Sequence, residues 1–241
     1  MNDLDELRER VARACRILGK LELTNNILGH ISARVPGTDR ILIRARGPGQ
    51  PGVRFTTADD VIEVDLNGRK VAGREGLTSP GEVAIHTSLY RARPEVNGVV
   101  HAHPATAVLF TCCDKPLLPI IGAFNPSAVR LWREGIPTYP RSVLVADDEL
   151  GRELADLMRD RRACLMRGHG ITTVGPDVEE ATLTAIALND LAEMNYRAYL
   201  LGDPKPIPDD ELESVVAVHK RNKEAGASPL WSYYCELLGE S

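Results

Sequence analysis

The sequence predicts one α/β domain whose sheet is mixed or antiparallel, with helices on its faces. Three observations lead there. Apolar residues recur at steps of three and four in several long stretches, as amphipathic helices require. Between them lie short apolar or alternating runs bounded by Gly and Pro, the pattern of strands. The two kinds of element do not alternate strictly, which argues against a purely parallel, doubly wound sheet. No repeat, low-complexity tract or linker divides the 241 residues, so residues 1–241 read as a single domain.

Leu4, Leu7, Val11, Cys15 and Leu18 predict a helix over residues 3–20, which Asn2 or Asp3 can cap. LELTNNILGHISARV is turn-like and leads into a short alternating run. ILIRA at 41–45 reads as a strand, and GPGQPG at 47–52 as a loop. VIEVDL at 61–66 is followed by Asn67-Gly68 and enters a hairpin whose second strand lies around Lys70 and Val71. Ser79 is placed to cap a helix with Pro80 at its first position, running to about residue 92. Residues 96–103 form a strand, and a short helix after Pro104 runs through Leu109. Residues 117–121 are apolar and expected to be extended. A helix over 150–161 and a buried strand over 163–167 end in Gly168-His169-Gly170. Two more helices span about 177–201 and 212–224, before the aromatic tail SPLWSYYCELL.

Composition excludes several classes of function. Hydrophobic residues at 43% and charged residues at 26% give ordinary globular usage, which rules against disorder. A net charge of −5 offers no general attraction to nucleic acid or anionic lipid. No run approaches 18 apolar residues, so no membrane span is expected. The N-terminus is charged from the start and lacks an apolar signal core. Five cysteines, an odd number without framework spacing, fit a reduced, cytoplasmic protein. GPGQPG lacks the GxGxxG order and opens no helix, so nucleotide binding is a poor reading of it.

The placement of the six histidines is more telling. His101 and His103 stand two apart in a strand pattern, so both imidazoles share one face. Pro104 ends the strand just beyond them. Glu82 opens the preceding helix, whose return into the strand can carry its carboxylate near the pair. His169 lies between two glycines that permit a sharp turn. Three neutral imidazoles and a carboxylate suit Zn²⁺, Mn²⁺ or Fe²⁺, one ion per subunit, with a position open for substrate. His86 shares a helix face with Glu82 and reads as a group behind the site or a structural partner. His219 reads as a surface helix residue.

GEVAIHTSLYRARPEVNGVVHAHP, followed about 65 residues later by LMRGHGITTVG, resembles the class II aldolase/adducin family. LGHISARV resembles the same family's early Gly-Asn/His-x-Ser-x-Arg motif. The matches keep their order over roughly residues 5–200. The resemblance implies a three-layer α/β/α sandwich around a mainly antiparallel sheet. It also implies a divalent cation held by Glu82, His101, His103 and His169, and a homotetramer with sites at subunit interfaces. The tail, about residues 205–241, is then a candidate for contact with a neighbouring subunit.

Aldolases and epimerases of the family carry a Ser-Ser pair before the metal-site glutamate, where it helps cradle a phosphate. Here those positions are Pro80 and Gly81, and Pro80 offers neither a hydroxyl nor an amide donor. The early Asn is His30, and the Thr-Gly turn region reads Arg44-Ala45-Arg46-Gly47. This set favours a carboxylate substrate over a sugar phosphate. Ser32, Arg44, Arg46 and Gly81 are its expected contacts, although alternation also permits the arginines solvent-facing or ion-paired roles. GHIS, GEVAIH and the aromatic tail resemble the decarboxylase branch, which acts on hydroxylated aromatic or pyridine dicarboxylates. A metal-dependent, non-oxidative decarboxylase is therefore expected. Glu82 acts at the metal. The proton donor is His30, whose pKa is expected near neutrality, or the tail residue Tyr234, of the same or a neighbouring subunit. Tyr233 and Trp231 read as packing residues. A sugar-phosphate or sugar-acid lyase of the same fold is the alternative, and a non-catalytic adducin-like module the remote one.

Overall fold

The computed structural model describes residues 3–50, 52–113, 115–224 and 229–239. Helix α1, Asp3–Lys20, begins with Asp3, Asp5 and Glu6 and ends on Lys20, charges that suit the helix dipole. It buries Val11, Cys15 and Leu18. The cap expected of Asn2 lies outside the described residues. Strands β1 (His30–Arg34), β2 (Arg40–Arg44), β3 (Val61–Asp65) and β4 (Lys70–Ala72) follow as an antiparallel meander. The predicted hairpin at Asn67-Gly68 joins β3 to β4.

Next come α2 (Val83–Ala92), β5 (Gly98–Ala102), α3 (Ala105–Cys112) and α4 (Pro126–Glu134). Then follow β6 (Thr138–Tyr139), α5 (Asp148–Met158), β7 (Ala163–Met166) and β8 (Gly170–Gly175). Helices α6 (Val178–Leu201), α7 (Asp209–Glu224) and α8 (Pro229–Leu238) complete the chain. The strands form one eight-stranded sheet in the order β4-β3-β2-β1-β5-β8-β7-β6. Only the β6–β7 pair is parallel, so the sheet is mixed and mainly antiparallel, as predicted.

Strand alternation divides the core into two layers. Leu42, Val100 and Ala102 point to one face and pack with Val11, Leu18 and Leu188 of α1 and α6. Ile41, Ile43 and Val99 point to the other and pack with Ile85, Leu89 and Leu154 of α2 and α5. Burying both faces makes the three-layer sandwich. No helix among the described residues is long and apolar enough to cross a membrane.

Three local expectations change. Helix α2 starts at Val83, with Glu82 as its N-cap, because Pro80 to Glu82 form a turn closed by Val83 N–H donating to Pro80 O at 3.1 Å. Ser79 donates instead to Gly68 O at 2.6 Å. Residues 117–121 find no strand partner. The Leu118 backbone is satisfied by the Asn195 side chain, which accepts from its N–H at 2.8 Å and donates to its carbonyl at 3.0 Å. The sequence reading passed over α4, although Asn125 caps it by accepting from Ala128 N–H and Pro126 opens it.

Candidate metal centre and active site

Glu82, His101, His103 and His169 converge as the sequence predicts, each offering a ligand atom within 4.8 Å of every other. The fold explains the convergence. His101 is the last β5 residue paired with β1, His103 lies one residue past the strand, and the turn before α2 delivers Glu82 as its N-cap. The turn carrying His169 is pinned on both sides: Gly168 N–H donates to Thr111 Oγ1 at 2.8 Å, and Ser142 Oγ donates to Arg167 O at 2.9 Å. Gly168 has φ 60°, a left-handed conformation that favours glycine.

The donor atoms face one another. His101 Nε2 lies 2.8 Å from His103 Nε2 and 3.7 Å from Glu82 Oε2. His169 Nε2 lies 3.4 Å from Glu82 Oε2. Ligand atoms about 2.0–2.1 Å from a tetrahedral cation stand roughly 3.4 Å apart, close to this spacing. Both nitrogens of His169 are buried without a hydrogen-bond partner among the described residues, a deficit that a bound cation would relieve. The residues therefore fit a divalent metal.

Electrostatics keep the ligands in their binding forms. Burial, then neighbouring His103 and His169, push His101 well below the ordinary histidine range. Burial and His169 lower His103 to about 4, against the pull of Glu82. Burial alone would raise the Glu82 carboxyl, but His169, the Val145 amide and His103 outweigh it and hold the group below its usual value. Glu82 Oε1 accepts from Val145 N–H at 2.8 Å.

Beside this cluster stands a second, buried one. His30 pairs with His101 across β1 and β5, and their rings are 5.0 Å apart. His30 Nδ1 is 2.7 Å from His86 Nε2, His86 Nδ1 is 2.6 Å from Ser32 Oγ, and Ser32 Oγ is 2.8 Å from the Tyr90 hydroxyl. The expectation of a near-neutral His30 is overturned: burial first, then His86 and His101, push it well below the ordinary value. Ser32 is corrected as well. It is fully buried and committed to His86 and Tyr90, and does not face substrate. Neither His86 nor Tyr90 was read as part of a linked chain, though their spacing of four on α2 carried the signal.

The two arginines separate. Arg46 is tied to the segment before Glu82 by paired backbone hydrogen bonds with Thr78, of 2.9 and 2.7 Å. That pairing holds it against a residue four positions before Glu82 in the chain, and its charge helps depress both His30 and His103. Its Nε is buried without a hydrogen-bond partner among the described residues, as is Gln50 Nε2, which the sequence reading did not single out. Arg44 is 1% exposed and serves the backbone. It donates to Ile27 O and Gly29 O at 3.0 Å each and to Thr56 Oγ1 at 3.2 Å. The expected substrate contact from Arg44 is thus corrected to a pin on the loop before β1.

Gly81 is exposed in the turn before Glu82, and a Cβ there would meet nothing within 4 Å. Tyr234 is not brought to the cluster within the protomer. With Trp231 it packs against the core on the α1 and α6 face, whereas alternation puts His101 on the face of Val99 and α2. Its role as proton donor at its own site is corrected on that ground. His219 falls on α7, but its side chain lies outside the described residues.

A sandwich with a Glu-His-His-His cluster at its strand ends defines a class of metal-site lyase folds, and the comparisons agree. The chain matches the Class II Aldolase and Adducin N-terminal domain over residues 9–196 and belongs to that family. It is 42% identical to a 3,4-dihydroxyphthalate decarboxylase of Arthrobacter keyseri, over 85% of this chain and 84% of that protein. It is 37% identical to one of Terrabacter sp. (strain DBF63), over 86% and 88%. An aldolase II superfamily protein from Pseudomonas syringae superposes with TM-score 0.82 at 24% identity, covering 99% of this chain and 92% of that one. L-fuculose 1-phosphate aldolase from Glaciozyma antarctica PI12 superposes with TM-score 0.79 at 22% identity, covering 98% and 91%. These structures share the fold.

Proposed function

We propose that this protein is a divalent-metal-dependent, non-oxidative decarboxylase of a hydroxylated aromatic dicarboxylate, with 3,4-dihydroxyphthalate, the substrate named for its relatives, first among candidates. The observation that carries the reading is the four-residue cluster, together with Arg46, whose buried Nε has no partner among the described residues. Glu82, His101, His103 and His169 would hold one Zn²⁺, Mn²⁺ or Fe²⁺ per subunit. When bound, the ion supplies Lewis acidity for a ring hydroxyl and its adjacent carboxylate, and a sink for electron density as the carbon–carbon bond breaks.

The chain's own residues do the rest. Burial keeps His101 and His103 neutral, so their lone pairs stay available. Arg46 pairs with a substrate carboxylate through its planar guanidinium and fixes the ring's orientation. His30, held neutral, offers substrate a hydrogen bond and not an imidazolium proton. The ring carbon takes up one proton for each CO₂ released.

Exposed apolar side chains, Leu200 and Leu201 (92%) at the end of α6 and Leu230, Tyr233 and Leu237 on α8, support a homo-oligomer. We read it as the homotetramer that the family resemblance implies, which light scattering tests.

The deciding experiment is CO₂ release from a panel of hydroxybenzene and hydroxypyridine carboxylates, with and without chelator. Chelator-sensitive release from a hydroxylated aromatic dicarboxylate is expected. Rapid cleavage of a ketose 1-phosphate without CO₂ release from any panel acid would overturn the reading.

A further inference from the structure

We infer that Tyr90, Ser32 and His86 are positioning residues that fix His30 as the tautomer with its proton on Nε2, so that it meets the active site as a hydrogen-bond donor. The inference rests on the reading of His30 as a group that faces substrate beside the metal centre.

The direction of the chain follows from counting protons. All four side chains are at most 1% exposed, so bulk water offers no alternative partner. A buried phenol keeps its proton, and burial pushes the Tyr90 hydroxyl further up. Among the described residues that hydroxyl meets Ser32 Oγ at 2.8 Å and the Val99 backbone, whose hydrogen bond favours the ionised phenol and is therefore donated to its oxygen, so its proton goes to Ser32. The Ser32 hydrogen is then free to turn to His86 Nδ1, at 2.6 Å. With Nδ1 accepting, a neutral His86 carries its proton on Nε2 and donates it to His30 Nδ1, at 2.7 Å. With Nδ1 of His30 also accepting, the remaining proton sits on Nε2. The reverse order would leave the Tyr90 proton buried without an acceptor, which is costly.

The scaffold makes this chain by matching two ladders. His30, Ser32 and Arg34 alternate on one face of β1, and Glu82, His86 and Tyr90 recur every four residues on α2. Two strand residues advance about 6.7 Å and four helix residues about 6 Å, so the rungs stay in register. Arg34 closes the far end: it donates to Tyr90 O at 2.7 Å and lies over the Tyr90 ring, 4.9 Å from its centroid. The near end is His30, beside His101.

A neutron structure of the perdeuterated, Zn²⁺-loaded protein reads the tautomers directly and requires neither substrate nor a variant. Deuterium on Nε2 alone in both His30 and His86 is expected. Deuterium on Nδ1 of either ring overturns the inference. With 3,4-dihydroxyphthalate as substrate, Ser32→Ala and Tyr90→Phe should each lower kcat about 10-fold with KM and metal content retained, and Ser32→Thr should keep most of the rate. Unchanged kcat in both Ser32→Ala and Tyr90→Phe also overturns it. Because the neutron result is independent of turnover, the expected deuterium pattern in a protein that releases no CO₂ would sink the decarboxylase reading and leave the tautomer assignment standing.

Discussion

His101 Nε2 lies 2.8 Å from His103 Nε2, while His101 Nδ1 is turned away toward Thr172 Oγ1 at 3.4 Å and the Ile171 backbone. The outward hydrogen bonding sets the tautomer that points a lone pair inward, the usual role of a group behind a metal ligand. The same alternation that pairs His101 with Thr172 and His30 puts the ligand on the α2 face.

Removing that ligand should remove the ion. His101→Ala is expected to lose stoichiometric metal by mass spectrometry and to lower the decarboxylation rate by at least about 100-fold. Retention of one tightly bound ion per subunit would show that the cluster is not the metal site.

Arg46 and Arg44 should respond oppositely to truncation. Arg46→Ala is expected to raise KM for a dicarboxylate by about 10- to 100-fold with little change in melting temperature, since its buried Nε serves no acceptor among the described residues. Arg44→Ala abandons the Ile27 and Gly29 carbonyls and should cost about 2–3 kcal/mol of stability, with KM of the folded fraction retained. Thermal unfolding and steady-state kinetics on the same two variants separate the roles.

How much of this was legible beforehand depends on where the information sits. The ligand set was readable because period two places His101 and His103 together and because glycines flank His169. The two-layer core followed from helical and strand periodicity. The fates of Arg44 and Ser32 were not readable. Each depends on which distant backbone or ring lies opposite: Thr56 and the loop before β1 in one case, α2 in the other. Whether Tyr234 reaches its own site was not readable for a similar reason, because a tail sequence does not say which sheet face it will cover. His86 was visible singly, but its meaning needs β1 and α2 side by side.

Acid stability should carry the signature of His86. Burial lowers its folded-state pKa to about 3 from an unfolded value near 6.5. Between those values the unfolded chain binds the extra proton, so stability rises with pH through the window. The contribution is full above about pH 6.5 and is lost as pH falls toward 3, on the order of 5 kcal/mol in all. Metal-free protein should therefore unfold at progressively lower temperature as pH drops from 6.5, and His86→Gln should flatten that slope. An identical slope in the variant would remove His86 as its source.

Gly170 tests whether backbone proximity builds the metal site. A Cβ added there would collide with the Ala102 carbonyl and crowd His103 Cδ2. Its φ is not left-handed, so the obstacle is space and not conformation. Ala102 is the last residue of β5 and Gly170 the first of β8, where the two strands pair beside the ligand histidines. Backbone cannot yield as a flexible side chain would, so Gly170→Ala must spread β5 from β8 or rotate the His103 ring. Overpacking of this kind costs about 1–3 kcal/mol. Because His103 moves relative to His101 and His169, metal affinity should fall along with stability, by at least about 10-fold in a competitive chelator titration. At Gly81, where a Cβ meets nothing, Gly81→Ala should leave both quantities unchanged and bear only on substrate. Equal metal affinity in Gly170→Ala and the parent protein would mean that the ligands are set by their own side-chain packing and not by the close strand approach.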